Sequence, residues 1–306
     1  MRKPVILRLV GSAARAWWDD DCSRLGASLA YYTLFAIAPV LLVATAIAGM
    51  AFGAEAVRGE IVGQLDHLVG REGALAVQSL LEGASQRRSG IVATVVGGIA
   101  FVVAATGAFL ELQVALNTIW RVKPNPGTNI TAFVMDRLRS FGLVVAIGFL
   151  LLVSLSVTAA LAALNAWLLG VSPEMPAVWK VGSALASLVV TTGLFALLFR
   201  FLPDVRLRWR DVTTGAAVTA VLFTIGQQVI GLYLGQSTIA SSYGAAGSMM
   251  ILLLWVYYSC QILLFGAEFT RVYVQRSGAK AKPESFAVKD PHAVNPKSAL
   301  APVTKS

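Results

Sequence analysis

Arg200-Phe-Leu-Pro203-Asp204-Val-Arg206-Leu-Arg208-Trp209-Arg210-Asp211 is a compact basic turn, and the two apolar runs after it decide the fold. The first extends to Leu234. A charge-free polar turn, Gly235-Gln236-Ser237-Thr238-Ile-Ala-Ser241-Ser242-Tyr243-Gly244, interrupts it, and the second, from Ala245, ends in Gly266-Ala-Glu268-Phe-Thr270-Arg271. Each run holds about 20 or more residues, enough as helix to cross a hydrocarbon layer of roughly 30 Å. The pair predicts a membrane hairpin with its cationic ends on one side.

Composition agrees. A mean hydropathy of +0.71, 57% hydrophobic residues and only 13% charged ones exclude an ordinary soluble domain, where charge is about 25%. A net charge of +9 would suit a nucleic-acid partner, but the cations sit in short loops between apolar runs and in the tail. That is the pattern of positive-inside topology, and no nucleic-acid partner is expected. Cys22 and Cys260 give neither a disulfide framework nor metal-ligand spacing. His67 falls in a polar loop and His292 in the tail, so neither starts an acid–base cluster. Arg8 and Arg15 interrupt the stretch Val5 to Ala16, which therefore does not read as a cleavable signal.

Taken in order, residues 1–24 form an amphipathic segment. Val5, Ile6, Leu9, Val10, Ala13, Ala16 and Trp17 recur at helical spacing, predicting an interfacial helix with Trp17 and Trp18 at headgroup depth. Asp19-Asp20-Asp21 reads as a cap for the next helix rather than a metal site. The membrane domain spans 25–276. Its first span, about 25–52, contains Tyr31, Tyr32 and Pro39. A kink or break is expected near Ala36 to Pro39, because proline removes a helical hydrogen bond. Residues 54–90 form an extracytoplasmic loop with two amphipathic helices, marked by Val57, Ile61, Leu65 and Leu68 and by Leu75, Val77, Leu80 and Leu81. Further spans are predicted at about 91–119, 141–169, 178–199, 212–234 and 245–271. The tail 277–306, rich in Lys, Ala, Pro and Ser, reads as disordered.

The fold class is thus all-α, a polytopic membrane protein with six transmembrane helices. Lys and Arg fix its orientation. Twenty fall in the N-terminal segment, the 120–139 and 200–211 loops and the tail; five, Arg58, Arg71, Arg87, Arg88 and Lys180, fall on the other side. Both termini are expected in the cytoplasm, which requires an even number of spans.

Glu111 and Glu268 are the carboxylates within these spans. A charge at a helix centre costs about 2.5–3.5 kcal/mol on insertion scales, so such groups face a partner or a water-filled space. Both lie toward the cytoplasmic half, where Arg121, Arg200, Arg206, Arg208 and Arg210 also gather. Two readings stay open: an inter-helix network of ion pairs and hydrogen bonds, or a vestibule in which the carboxylates flank a headgroup or take up protons. Asn117, Tyr31, Tyr32, Gln227 and Gln261 complete a candidate polar path; small and polar residues are also ordinary inter-helix glue. Gly231 and Gly235 permit close backbone approach. No HExxH, phosphate loop or usable Ser-His-Asp set is present, so no enzyme, no cofactor and no metal are expected.

Leu25-Gly-Ala-Ser-Leu-Ala-Tyr31-Tyr32-Thr-Leu-Phe-Ala-Ile-Ala-Pro39, Ala115-Leu-Asn117-Thr-Ile-Trp120-Arg121, Phe201-Leu-Pro203-Asp204-Val, and Ser242-Tyr243-Gly244-Ala-Ala-Gly247-Ser through Leu254-Trp255-Val-Tyr257-Tyr258 to Leu264-Phe-Gly266-Ala-Glu268 together resemble the YihY/BrkB family. The resemblance covers about residues 10–275; Ala36 departs from it where Ser is expected. It implies a six-span bacterial inner-membrane protein linked to serum resistance and to lipid or solute export. It also carries an old ribonuclease label, which the missing catalytic groups argue against. The expected function is a transporter or flippase-like protein for a lipid, another amphiphile or a small solute. Its partners would be membrane lipids, with anionic headgroups on the cytoplasmic side; a homo-oligomer is compatible with the sequence. The alternative is a non-transporting scaffold or assembly factor that recruits partners through its tail and outer loop.

Overall fold

The computed structural model describes residues 5–52, 59, 62–63, 71, 73–79, 82, 91–124, 176–236, 245–277, 282–284 and 287–290. Helices α1 (Val5–Asp19), α2 (Cys22–Phe52) and α3 (Ile91–Trp120) lead into strand β1 (Val122–Pro124). Then come α4 (Pro176–Phe201), β2 (Val205–Arg206), α5 (Trp209–Gln236), α6 (Ala245–Arg276), β3 (Lys282–Pro283) and β4 (Ala287–Lys289). Five helices are long and apolar enough to cross a membrane: Cys22–Leu42, Val102–Trp120, Ala184–Phe201, Trp209–Gly231 and Ala246–Arg276. They correspond to the predicted first, second, fourth, fifth and sixth spans. The predicted third span, 141–169, lies outside the described residues, as do most of the 54–90 loop and the Ser237–Gly244 part of the polar turn.

Apolar side chains in the α2 and α6 runs make one continuous seam. Leu29 and Ala30 of α2 bury against Leu252, Val256 and Cys260 of α6, and Ala76 and Val77 of the helical stretch 73–79 join them. The α2 helix continues through Pro39; of the predicted kink or break, a break does not occur. The described residues form two compact units. One comprises Met1–Cys22, Val114–Ala220 and Leu264–Ser306, and the other Ser23–Gln113 and Val221–Leu263.

In the first unit α5 meets α6 through two reciprocal Gly-x-x-x-Thr steps. A Cβ added at Gly215 would run into Thr270, its Cβ 2.7 Å away, and one added at Gly266 would run into Thr219, its Cβ 2.8 Å away. Each threonine hydroxyl donates to the carbonyl one turn back on its own helix, Thr219 to Gly215 at 2.8 Å and Thr270 to Gly266 at 2.7 Å. The hydroxyls are thereby satisfied internally, and the two backbones approach without a stranded polar group. Glu268 sits between Gly266 and Thr270, so this lock sets its depth. A Cβ added at Gly231, singled out from the sequence with Gly235, would meet nothing within 4 Å among the described residues.

The α1 helix packs one face on the chain: Leu9 and Ala13 bury against Phe269 and Val272 of α6, with Val218 of α5 nearby, while Leu7, Val10 and Trp18 stay exposed. The regular structure of the described residues is helical apart from four strands of two or three residues. One expectation changes here. The tail is not disordered throughout, because its two strands pair antiparallel with the loops: Val122 with Lys289, Lys123 with Val288 and Pro124 with Ala287, then Val205 with Pro283 and Arg206 with Lys282. The loop strands offer open backbone edges, and the tail segment satisfies them.

Candidate functional site

Two buried polar constellations in the first unit hold most of the ionic chemistry. The larger starts from Glu268, which has no exposed surface. Arg271, three residues on and on the same face of α6, donates to Glu268 Oε2 from Nη2 at 2.6 Å and from Nε at 3.0 Å. The same Nη2 lies 3.0 Å from Asp20 Oδ2. This second contact is an ion pair, since Asp20 Oδ2 makes no hydrogen bond among the described residues. Asp20 Oδ1 accepts from Arg121 Nη2 at 3.3 Å. Two carboxylates and two guanidiniums thus alternate, and the formal charges cancel. Side-chain exposure is 0% for Glu268, 4% for Arg271, 8% for Asp20 and 17% for Arg121. Glu268 Oε1 finds no donor among the described residues.

Backbone geometry supports the cluster. Asp21 and Arg121 are the non-glycine residues with positive φ among those described, at 51° and 56°. That region costs an L-residue about 1–2 kcal/mol, and Gly commonly fills it just past a helix end. Arg121 holds it directly after α3. Its side chain reaches Asp20 while its carbonyl accepts from the Asp290 N–H at 3.0 Å.

The second constellation is a reciprocal pair. Asn117 Nδ2 donates to Asp204 Oδ2 at 2.7 Å, and the Asp204 N–H donates to Asn117 Oδ1 at 2.9 Å, with both residues buried. One side chain therefore ties the end of α3 to the turn between α4 and α5. Asn117→Leu is expected to remove both of these buried bonds, costing about 2–3 kcal/mol. Thermal denaturation in mild detergent checks it; an unchanged midpoint would contradict the pairing.

The chain belongs to the BrkB family. The family profile described as "Virulence factor BrkB" matches residues 13–290. Among similar proteins are UPF0761 membrane proteins of Ralstonia nicotianae and Rhodospirillum centenum. The first is 29% identical over 86% of this chain and 58% of the relative; the second is 30% identical over 88% and 58%. A third, from Saccharophagus degradans, is 27% identical over 89% and 61%. The chain therefore spans about three-fifths of the length of these relatives. No solved structure matches. With family membership and several apolar helices, this BrkB-family chain is a multi-pass membrane protein.

The residues singled out in the sequence divide between the two units. Glu268, Asn117 and Arg121 enter the buried constellations. Arg206 pairs with Glu284 at 2.9 Å. Arg200 lies over the Trp209 ring, 5.9 Å from its centroid, and Phe201 meets that ring edge-on. Arg208 and Arg210 are exposed. In the other unit, the Gln261 amide packs over Gly26 and donates to the Ser23 carbonyl at 3.3 Å, while the Ser23 hydroxyl meets Tyr257 at 3.1 Å. The Tyr32 ring covers Gly107, one helical turn from Glu111. Tyr31 meets Tyr32 edge-on and Phe35 at a tilt, with both tyrosines exposed. Glu111 and Gln227 are half-buried, and neither has a hydrogen-bond or ion-pair partner among the described residues.

Asp20, Asp204 and Arg271 were not foreseen as site residues. Asp20 read as a helix cap, yet it bridges two arginines. The available signal for Arg271 was its i, i+3 spacing from Glu268. For Asp204 it was an acid placed among the cations of the 200–211 turn.

Proposed function

We propose that this protein carries an anionic amphiphile or a small anionic solute across the bacterial inner membrane. It does so without catalysing a reaction, through six spans with both termini in the cytoplasm. The observation that carries this reading is the Asp20–Arg121–Arg271–Glu268 cluster at the cation-rich ends of helices apolar enough to span a bilayer. Charges withdrawn from water, fully at Glu268 and Arg271 and partly at Asp20 and Arg121, are costly even when paired, and packed apolar side chains of similar volume would often serve stability as well or better. Their presence fits groups that exchange partners as a headgroup or proton passes. The exposed Arg208 and Arg210, with Arg200 over Trp209, form a cationic and aromatic surface of the kind that gathers acidic headgroups.

Purified protein reconstituted into vesicles containing a fluorescent anionic phospholipid should speed its movement between leaflets at least tenfold over protein-free vesicles. In parallel vesicles, a small organic anion tests the solute branch. Movement of neither, with or without a proton or sodium gradient, would overturn the proposal. A non-transporting scaffold predicts that outcome. A scaffold recruiting partners through its tail fits less well, because part of the tail is already paired with the chain's own loops.

A further inference from the structure

The segment after α6 returns across two loops, and its contacts are specific. β3 pairs with β2, and the Glu284 N–H donates to the Asp204 carbonyl at 3.0 Å. β4 pairs with β1, and the Asp290 N–H donates to the Arg121 carbonyl at 3.0 Å. Ion pairs fasten the outside: Glu284 to Arg206 at 2.9 Å and Asp290 to Lys123 at 3.4 Å. The two carbonyls so held belong to Asp204, the partner of Asn117, and to Arg121, the outermost member of the buried charge cluster.

We propose that Lys282–Glu284 and Ala287–Asp290 form an intramolecular strap that closes the Asp20–Arg121–Arg271–Glu268 cluster off from water, and that releasing the strap opens it. The linkage runs through Arg121. Its left-handed backbone is retained while its carbonyl is held by Asp290, just past β4, and its guanidinium by Asp20. Freed on the strap side, Arg121 can relax toward an ordinary conformation, and its side chain then leaves Asp20. The strap fits a reversible device because its ion pairs are at least partly exposed, each of them weak and salt-sensitive, and its ladders are only two and three residues long. This goes beyond the transport reading and does not depend on what is moved.

Cys22 is a built-in reporter. It is buried at the start of α2, next in chain to Asp21 and two residues from Asp20. In full-length Cys260→Ala protein in detergent, Cys22 should react slowly with a maleimide. Glu284→Arg combined with Asp290→Lys, which sets like charges against Arg206 and Lys123, should speed labelling at least fivefold. Arg206→Glu alone, at a well-exposed position, should speed it in the same direction by breaking one pair from the loop side. Arg206→Glu with Glu284→Arg re-forms that pair reversed and should return the rate toward that of the parent. Labelling of the first two variants as slow as the parent overturns the strap. So does labelling that stays fast after the reversal, which would mean that the chain had loosened generally.

Discussion

Arg271→Ala is expected to be the most damaging single substitution in the chain, destabilising the protein by about 3–5 kcal/mol, the cost of breaking a buried pair. Arg271 makes both hydrogen bonds to Glu268 Oε2 and contacts Asp20, and its side chain is only 4% exposed. Removing it leaves two carboxylates with Arg121 as their remaining cation in the cluster, and Arg121 reaches Asp20 rather than Glu268. The expected readout is a sharp loss of folded yield and a lower denaturation midpoint in mild detergent. Adding Glu268→Gln should recover a large part of the loss, because the stranded charge is then gone. A variant that melts like the parent would mean that the cluster is not buried as described.

Gly266→Val is expected to cost about 3 kcal/mol, the upper end of overpacking penalties. The new Cβ would meet Thr219 Cγ2 at 2.6 Å and Cβ at 2.8 Å. These atoms cannot swing aside easily, because a threonine has a stiff χ1 and this hydroxyl is bonded to the Gly215 carbonyl. Thr219→Gly in the same chain should restore much of the stability by opening the facing hole. The two substitutions would then be strongly non-additive, as expected of residues in contact. If Gly266→Val is neutral, or Thr219→Gly brings no recovery, the α5–α6 lock is wrong.

Both sites show where sequence reading reached and where it stopped. Five of the predicted spans coincide with long helices because an apolar run of that length has few alternatives; ends moved by a few residues, as with α6, which continues to Arg276. Glu268 and Asn117 stood out because a polar group in such a run needs a partner. The partners were not legible. Asn117 reaches Asp204 87 positions away and Arg121 reaches Asp20 101 positions away, and neither helical nor strand periodicity carries information over such distances. Asp20 was further masked by standing where a helix cap is ordinary. The Gly-x-x-x-Thr steps carry no more signal than any small-residue spacing, and a Cβ at Gly231, which has an equivalent spacing to Gly235, meets nothing within 4 Å among the described residues. The ordered part of the tail was missed because composition averages over a window. Two short strands that borrow their edges from distant loops leave no trace in that average.

Glu268→Gln with Arg271→Met separates the work of the cluster from its stability most directly. The pair removes the central charges together, so no lone ion is buried, and such replacements often leave a fold as stable or more so. With labelled anionic phospholipid in vesicles that the parent protein scrambles, this variant should reconstitute with a parent-like denaturation midpoint and lose at least nine-tenths of the transfer rate. A well-folded variant that moves lipid at the parent rate would contradict the proposal and leave the four clustered charges a structural role alone.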